Sequence, residues 1–228
     1  MSMHISPSLL AADTTRLAST ARYLERLGAD SLHLDIMDGH YVKNFAFSPQ
    51  VVKDLRNVVS LPLHVHFEVD NPFDCLELFH AADMVVVQED TCQDMGLFIE
   101  RAKKLGLRCG VGINCDRSIE RIIPFIGILD MLVLLAVLPG FGGQKFNPLV
   151  LEEVRKLQNI PGKRKEGLKI AVDGGINSEN VSEVKAAGFN TVIIGSGLLQ
   201  EDGRYASRLE IRKRWETLRE LTSDRCEE

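Results

Sequence analysis

Short apolar runs alternate along this chain with stretches whose apolar positions recur at helical spacing. Residues 5–9, 31–35, 63–67, 84–88, 108–113, 131–136, 169–172 and 191–194 predict eight strands. Between them, residues 14–27, 49–58, 94–105 and 181–187 predict amphipathic helices, and 207–221 predicts a charged closing helix. Alternation of this kind implies a parallel sheet, because parallel neighbours need a crossover connection and a helix supplies it. The fold class expected is therefore α/β, a single (β/α)8 TIM barrel, with a strand about every 25 residues as that architecture requires. No Pro/Ser-rich linker or shift of composition interrupts the pattern, so residues 1–228 are expected to form one domain.

Composition narrows the function. With 228 residues and 45% hydrophobic content the chain can bury a full core. A net charge of −5 without a clustered basic face argues against nucleic acid or an anionic membrane as partner and points to a small molecule. No signal peptide or bilayer-length apolar run is present, and the five cysteines at 75, 92, 109, 115 and 226 are scattered without a CxxC pair. A reducing cytoplasm is the expected location. Cys109 and Cys115 are expected to be buried as small hydrophobes.

The polar residues that break the apolar runs carry the chemistry. His33 and Asp35 stand two apart, which on a strand places both on one face; His64 and His66 repeat the arrangement, and Asp173 closes another run. Imidazole and carboxylate from three strand ends make a ligand set for a divalent Zn, Mn, Fe or Co ion. Barrel enzymes place their chemistry at the carboxyl ends of the strands, where Ser8 also falls, although Ser8 can equally cap the first turn. His4, His40, His64 and His80 are read as structural, and Met37 alone would be ordinary packing. Glycines supply a second constellation: Gly140, Gly142 and Gly143 flanking Phe141 after the sixth strand, Gly174 and Gly175 after the seventh, Gly195 with Ser196 after the eighth. Backbone N–H groups in such loops favour an anion and predict a phosphorylated substrate.

These residues resemble the ribulose-phosphate 3-epimerases, from Ile5 to about Leu198. The resemblance rests on SPSL at 6–9, HLDIMDG at 33–39 with His40-Tyr41-Val42 after it, PGFGGQKF at 139–146, VDGGIN at 172–177 and IIGSGL at 193–198. It implies one divalent metal ion per subunit held by His33, Asp35, His66 and Asp173, with Asp35 and Asp173 doubling as the acid/base pair. It also implies substrate contacts from Ser8, Met37 and His66, and a phosphate cradle from Gly140, Phe141, Gly142, Gly143, Gly174, Gly175, Gly195 and Ser196. The activity implied is inversion of C3 of a ketose phosphate, D-ribulose 5-phosphate to D-xylulose 5-phosphate, through an enediolate, in a homo-oligomer (dimer or hexamer).

Departures from the family pattern touch the pocket wall and spare the implied ligands. Glu68 and Leu135 stand where methionines are expected, Lys43 where proline is common, and Gln88-Glu89-Asp90-Thr91 replaces a His-containing strand end. Glu68 either reaches the substrate, which would suit another ketose phosphate such as D-allulose 6-phosphate, or points to solvent from a loop. Two rival functions are a phosphate-binding barrel decarboxylase or aldolase and a non-catalytic sugar-phosphate sensor. The first would show Asp-x-Lys-x-x-Asp, where this chain has Met37 in place of the lysine; the second would have lost a ligand or acid/base residue, and none is lost.

Overall fold

The computed structural model describes residues 2–158 and 167–223; Cys226 lies outside them. Eight strands form the barrel sheet: β1 (His4–Pro7), β2 (Leu32–Met37), β3 (Leu63–Glu68), β4 (Met84–Gln88), β5 (Arg108–Ile113), β6 (Met131–Leu135), β7 (Lys169–Asp173) and β8 (Thr191–Ile194). They pair in parallel in the order β1-β8-β7-β6-β5-β4-β3-β2. The remaining seam, between β1 and β2, is drawn together by a single bridge from Ser8 to His33 and by the Ser31 hydroxyl donating to Ser6 Oγ at 2.8 Å. The result is a (β/α)8 TIM barrel. No helix among the described residues is long and apolar enough to cross a membrane.

Register sorts the side chains. His33 pairs with His64 and Asp35 with His66; farther round, His66 pairs with Val86, Val86 with Gly110, and Leu135 with Asp173. Because successive side chains alternate across a strand, each such row lies on one face. Met84, Val86, Met131, Val133, Leu135, Ala171 and Ile193 form the apolar plug inside the barrel. The opposite faces, such as Leu34, Val65, Val87, Val111, Leu132 and Val172, belong to the larger core between sheet and helices. Behind β3, Phe67 packs edge-on against Phe79 and Phe98 at 5.2 and 6.5 Å, anchoring the strand that carries His66 and Glu68.

A repeated clamp sets the strands at their amino ends. Asp30, Asp83, Asp130 and Asn190 each precede an even-numbered strand, and each side chain accepts the backbone N–H of a residue on the preceding odd strand. The donors are Ile5, Leu63, Cys109 and Ile170, at 2.8, 2.8, 2.9 and 2.8 Å. The backbone N–H of the same four residues donates back to the carbonyls of those partners. Nothing in the hydrophobic pattern marked these residues.

The expected helices form with shifted ends. The first begins as a 3-10 turn, Thr14–Arg16, before the α-helix Leu17–Arg26, because the Asp13 side chain accepts from Thr15 N and tightens the entry. Helices follow at Pro49–Arg56, Met95–Lys104, Val181–Ala187 and Arg208–Thr222. The helix Leu149–Gln158, the short turns Pro72–Cys75 and Leu76–Phe79, and the 3-10 segment Ile119–Phe125 were not anticipated. Pro124 inside the last reads as a helix breaker, and pieces of one or two turns carry too little periodicity to be seen. Cys109 is buried as expected, whereas Cys115 is half-exposed in the loop after β5.

Candidate active site

At the carboxyl ends of the strands, four side chains meet. His33 Nε2 lies 3.1 Å from Asp35 Oδ1 and 3.5 Å from Asp173 Oδ2; His66 Nδ1 lies 3.6 and 3.9 Å from the same two oxygens. All four atoms fall within 4.8 Å of one another. A tetrahedral ion with ligand bonds of 2.0–2.2 Å has ligand–ligand edges of about 3.3–3.6 Å, and the cluster's separations bracket that range. The donor set agrees: the His66 imidazole is fully buried with neither nitrogen hydrogen-bonded, and two carboxylates converge on it.

The electrostatics of the two carboxylates diverge. Burial would raise the proton affinity of Asp35, but His33 and His66 outweigh it and hold the carboxyl well below the usual carboxylate range. The Ser8 hydroxyl donates to Asp35 Oδ2 at 3.0 Å while accepting from Leu10 N at 3.3 Å, so Ser8 is both a turn cap and a site contact. Asp173 moves the other way: burial and the neighbouring Asp35 push it up to about 7, against opposing contributions from His33 and the Gly174 N–H. Acid/base pairs are recognised by environments that separate their proton affinities in this manner. His64, one row deeper, has its proton affinity lowered well below the ordinary value, by burial first and then by Lys169, His33 and Arg108.

Above the cluster opens a narrow cleft of about 60 Å³. Ser8, Asp35, Met37 and Asp173 line it, together with Gly140, Phe141, Gly142, Gly143, Gly174, Gly175, Gly195 and Ser196. The three glycine-bearing loops therefore share one wall system with the two aspartates. Gly174 and Gly175 have φ of +103° and +68°, and a Cβ on either would lie 2.4 Å from Val137 Cγ2 or from the Phe146 backbone nitrogen. Only residues without side chains let those loops close on each other. His33 and His66 lie beneath the cleft and do not line it.

Glu68 is the residue whose place the sequence left open, and it does not point to solvent. It is 4% exposed, pairs in register with Met37 and lines the cleft, as does Leu135. Burial, followed by the charges of Asp35 and Asp173, raises its carboxyl to about 9, with the Gly140 N–H opposing. Its Oε2 has no hydrogen-bond partner. Next to it, the divergent 88–91 segment carries a polar network and does not line the cleft. Asn114 Nδ2 donates to Tyr41 Oη and Asp90 Oδ2 at 2.9 and 3.0 Å, while Arg117 and Arg121 pair with the buried Glu89. None of His4, His40, His64 and His80 joins the metal-type cluster.

The sequence matches the profile described as the ribulose-phosphate 3 epimerase family over residues 4–199. It is 35% identical over 211 residues to the ribulose-phosphate 3-epimerase of Bacillus subtilis, spanning 91% of this chain and 97% of that one. It is also 35% identical over 216 residues to the cytoplasmic isoform of ribulose-phosphate 3-epimerase from Oryza sativa, with 90% and 92% covered. Among solved structures, phosphoribosyl anthranilate isomerase from Thermus thermophilus superposes with a TM-score of 0.67 at 14% identity, covering 96% of this chain and 98% of that one. At that identity the likeness speaks for the barrel alone.

Proposed function

Because this chain belongs to the ribulose-phosphate 3-epimerase family, we propose that it inverts C3 of a ketose phosphate, exchanging D-ribulose 5-phosphate and D-xylulose 5-phosphate. It is an isomerase, a carbohydrate-phosphate epimerase. The observation that carries the finer reading is the convergence of Asp35, from β2, and Asp173, from β7, on one cleft walled by glycine loops. Inverting a carbon next to a ketone breaks its C–H bond on one face and forms a new one on the other, so two acid/base groups must flank the substrate.

In one direction Asp35 accepts the C3 proton and the electron pair of that bond passes toward the neighbouring carbonyl oxygen, giving the enediolate; Asp173 then delivers a proton to the opposite face. The reverse reaction exchanges the roles. Ser8 holds Asp35 Oδ2, which leaves Oδ1 at the cluster. Met37 and Leu135 form apolar parts of the cleft wall and exclude water from the reacting carbon. The loops at 140–143, 174–175 and 195–196 take the phosphate on backbone N–H groups. His33, Asp35, His66 and Asp173 would hold a divalent ion, Zn, Mn, Fe or Co, which when bound supplies Lewis-acid stabilisation of the charge developing on the substrate oxygens.

The buried Glu68 carboxyl favours a second reading, 3-epimerisation of a different ketose phosphate such as D-allulose 6-phosphate, because a polar group in the cleft selects for a hydroxyl that meets it. One experiment separates the readings. Metal-reconstituted protein is given each sugar phosphate in D2O and followed by NMR, with metal content measured in parallel for wild type and His66→Ala. Interconversion with deuterium entering at C3, and retention of the ion by the wild type alone, are expected. Absence of both exchange and inversion with both sugars would remove the epimerase assignment, and equal metal content in the two proteins would remove the ligand assignment.

A further inference from the structure

Gln88 ends β4 with its amide fully buried, and neither its oxygen nor its nitrogen has a hydrogen-bond partner. Buried amides are normally paired, so an orphaned one invites a reason. Its neighbour offers one. His66 directs Nδ1 at the carboxylates, 3.6 Å from Asp35 Oδ1, and leaves Nε2 buried and unpartnered. Gln88 stands opposite Gly112 in the β4–β5 register. A Cβ at position 112 would lie 2.6 Å from Gln88 Oε1 and 2.9 Å from His66 Nε2. The two orphaned groups thus border one notch, open because residue 112 has no side chain.

An imidazole that presents the Nδ1 lone pair to a cation carries its proton on Nε2, and that N–H requires an acceptor to fix tautomer and ring orientation. We propose that Gln88 is a positioning residue for His66, its amide oxygen accepting the Nε2 proton across the Gly112 notch and so holding Nδ1 ready for the metal. The assignment rests on the metal reading above. An amide oxygen suits this task because it accepts without titrating, and the partnership satisfies two buried groups at once.

The test compares wild type with Gln88→Leu, which removes the acceptor, and Gln88→Glu, which keeps one. Zn2+ affinity is measured by chelator competition, and the His66 tautomer is read by nitrogen NMR in metal-free protein. Gln88→Leu is expected to weaken Zn2+ binding roughly 10- to 100-fold in protein that a thermal melt shows to remain folded. Its His66 should lose the single Nε2–H tautomer seen in the wild type, and Gln88→Glu should bind Zn2+ at least as tightly as wild type. A Gln88→Leu protein with wild-type Zn2+ affinity, or a Gln88→Glu protein as weak as it, overturns the proposal. If wild-type protein itself takes up no Zn2+, the metal reading fails, and the tautomer comparison alone decides Gln88: an unchanged tautomer in Gln88→Leu refutes it.

Discussion

Replacing Asp173 by Asn should separate the two halves of the reaction. Asp173 ends β7, in register with Leu135 and Ile193, and its side chain remains 19% exposed, so an isosteric amide is accommodated. Burial and Asp35 raise the proton affinity of the Asp173 carboxyl whereas His33 and His66 hold Asp35 far lower, so of the two Asp173 is the one placed to give a proton. An amide cannot do so. Loss of one positioned acid/base group costs 10²–10⁴-fold, or about 2.7–5.5 kcal/mol in the barrier. Removal of the C3 proton by Asp35 does not need Asp173. With the epimer whose C3–H faces Asp35, the variant should therefore exchange that proton with D2O while inversion falls by roughly 10²–10⁴-fold. Proton NMR reads both rates in one sample, and elemental analysis confirms that the amide oxygen keeps the ion. Loss of exchange in step with inversion at full metal content, or inversion within about tenfold of wild type, would refute the division of labour between the two aspartates.

Three further outcomes follow from the same geometry. Glu68→Met removes a buried carboxyl from the cleft, and a lost hydroxyl contact of about 1–3 kcal/mol should shift the kcat/KM ratio toward D-ribulose 5-phosphate by roughly 5- to 150-fold; unchanged ratios with folding and metal intact would deny it any role in selection. Gly175→Ala places a Cβ 2.4 Å from the Phe146 backbone at a φ of +68°, and the displaced loop should cost about 100-fold in kcat/KM, whereas near wild-type kinetics would show that the loop does not hold the substrate. Asp83→Ala leaves the Leu63 N–H without its 2.8 Å acceptor and Arg56 without its carboxylate; unfolding in urea should show a loss of about 1–3 kcal/mol, which an unshifted midpoint would contradict.

How far the sequence could be read depended on the range of the interaction involved. The eight strands were legible because alternation and apolar runs are local signals, and helical spacing marked four of the seven connections between them, at 14–27, 49–58, 94–105 and 181–187. The candidate His and Asp side chains at the strand ends were legible because a period of two assigns faces within each strand, while the choice of His33, Asp35, His66 and Asp173 among them came from the resemblance to the family. The meaning of that set needed the barrel, which brings atoms 140 residues apart in the chain, on His33 and Asp173, to 3.5 Å. The Asp30, Asp83, Asp130 and Asn190 clamps were invisible, since an acidic or amide residue before a strand looks like any turn residue until the partner N–H is known.

Glu68 shows the boundary most clearly. Its sequence position allowed a loop residue facing water or a cleft residue facing substrate, and β3 continues one residue further than its apolar pattern, which commits the side chain to the inside. Gln88 and Gly112 gave no sign of belonging together, because their relation exists only across the β4–β5 register and over the ring of His66. By itself the sequence determined the eight barrel strands, five of the helices, the parallel order and the residue types available for catalysis, all of which depend on short-range periodicity and residue chemistry. The tertiary structure alone decided which carboxyl is stripped of solvent, which sits beside an imidazole and which atoms meet without a partner. Proton affinity and hydrogen-bond satisfaction are set by neighbours brought in from distant strands and by the water that their packing excludes.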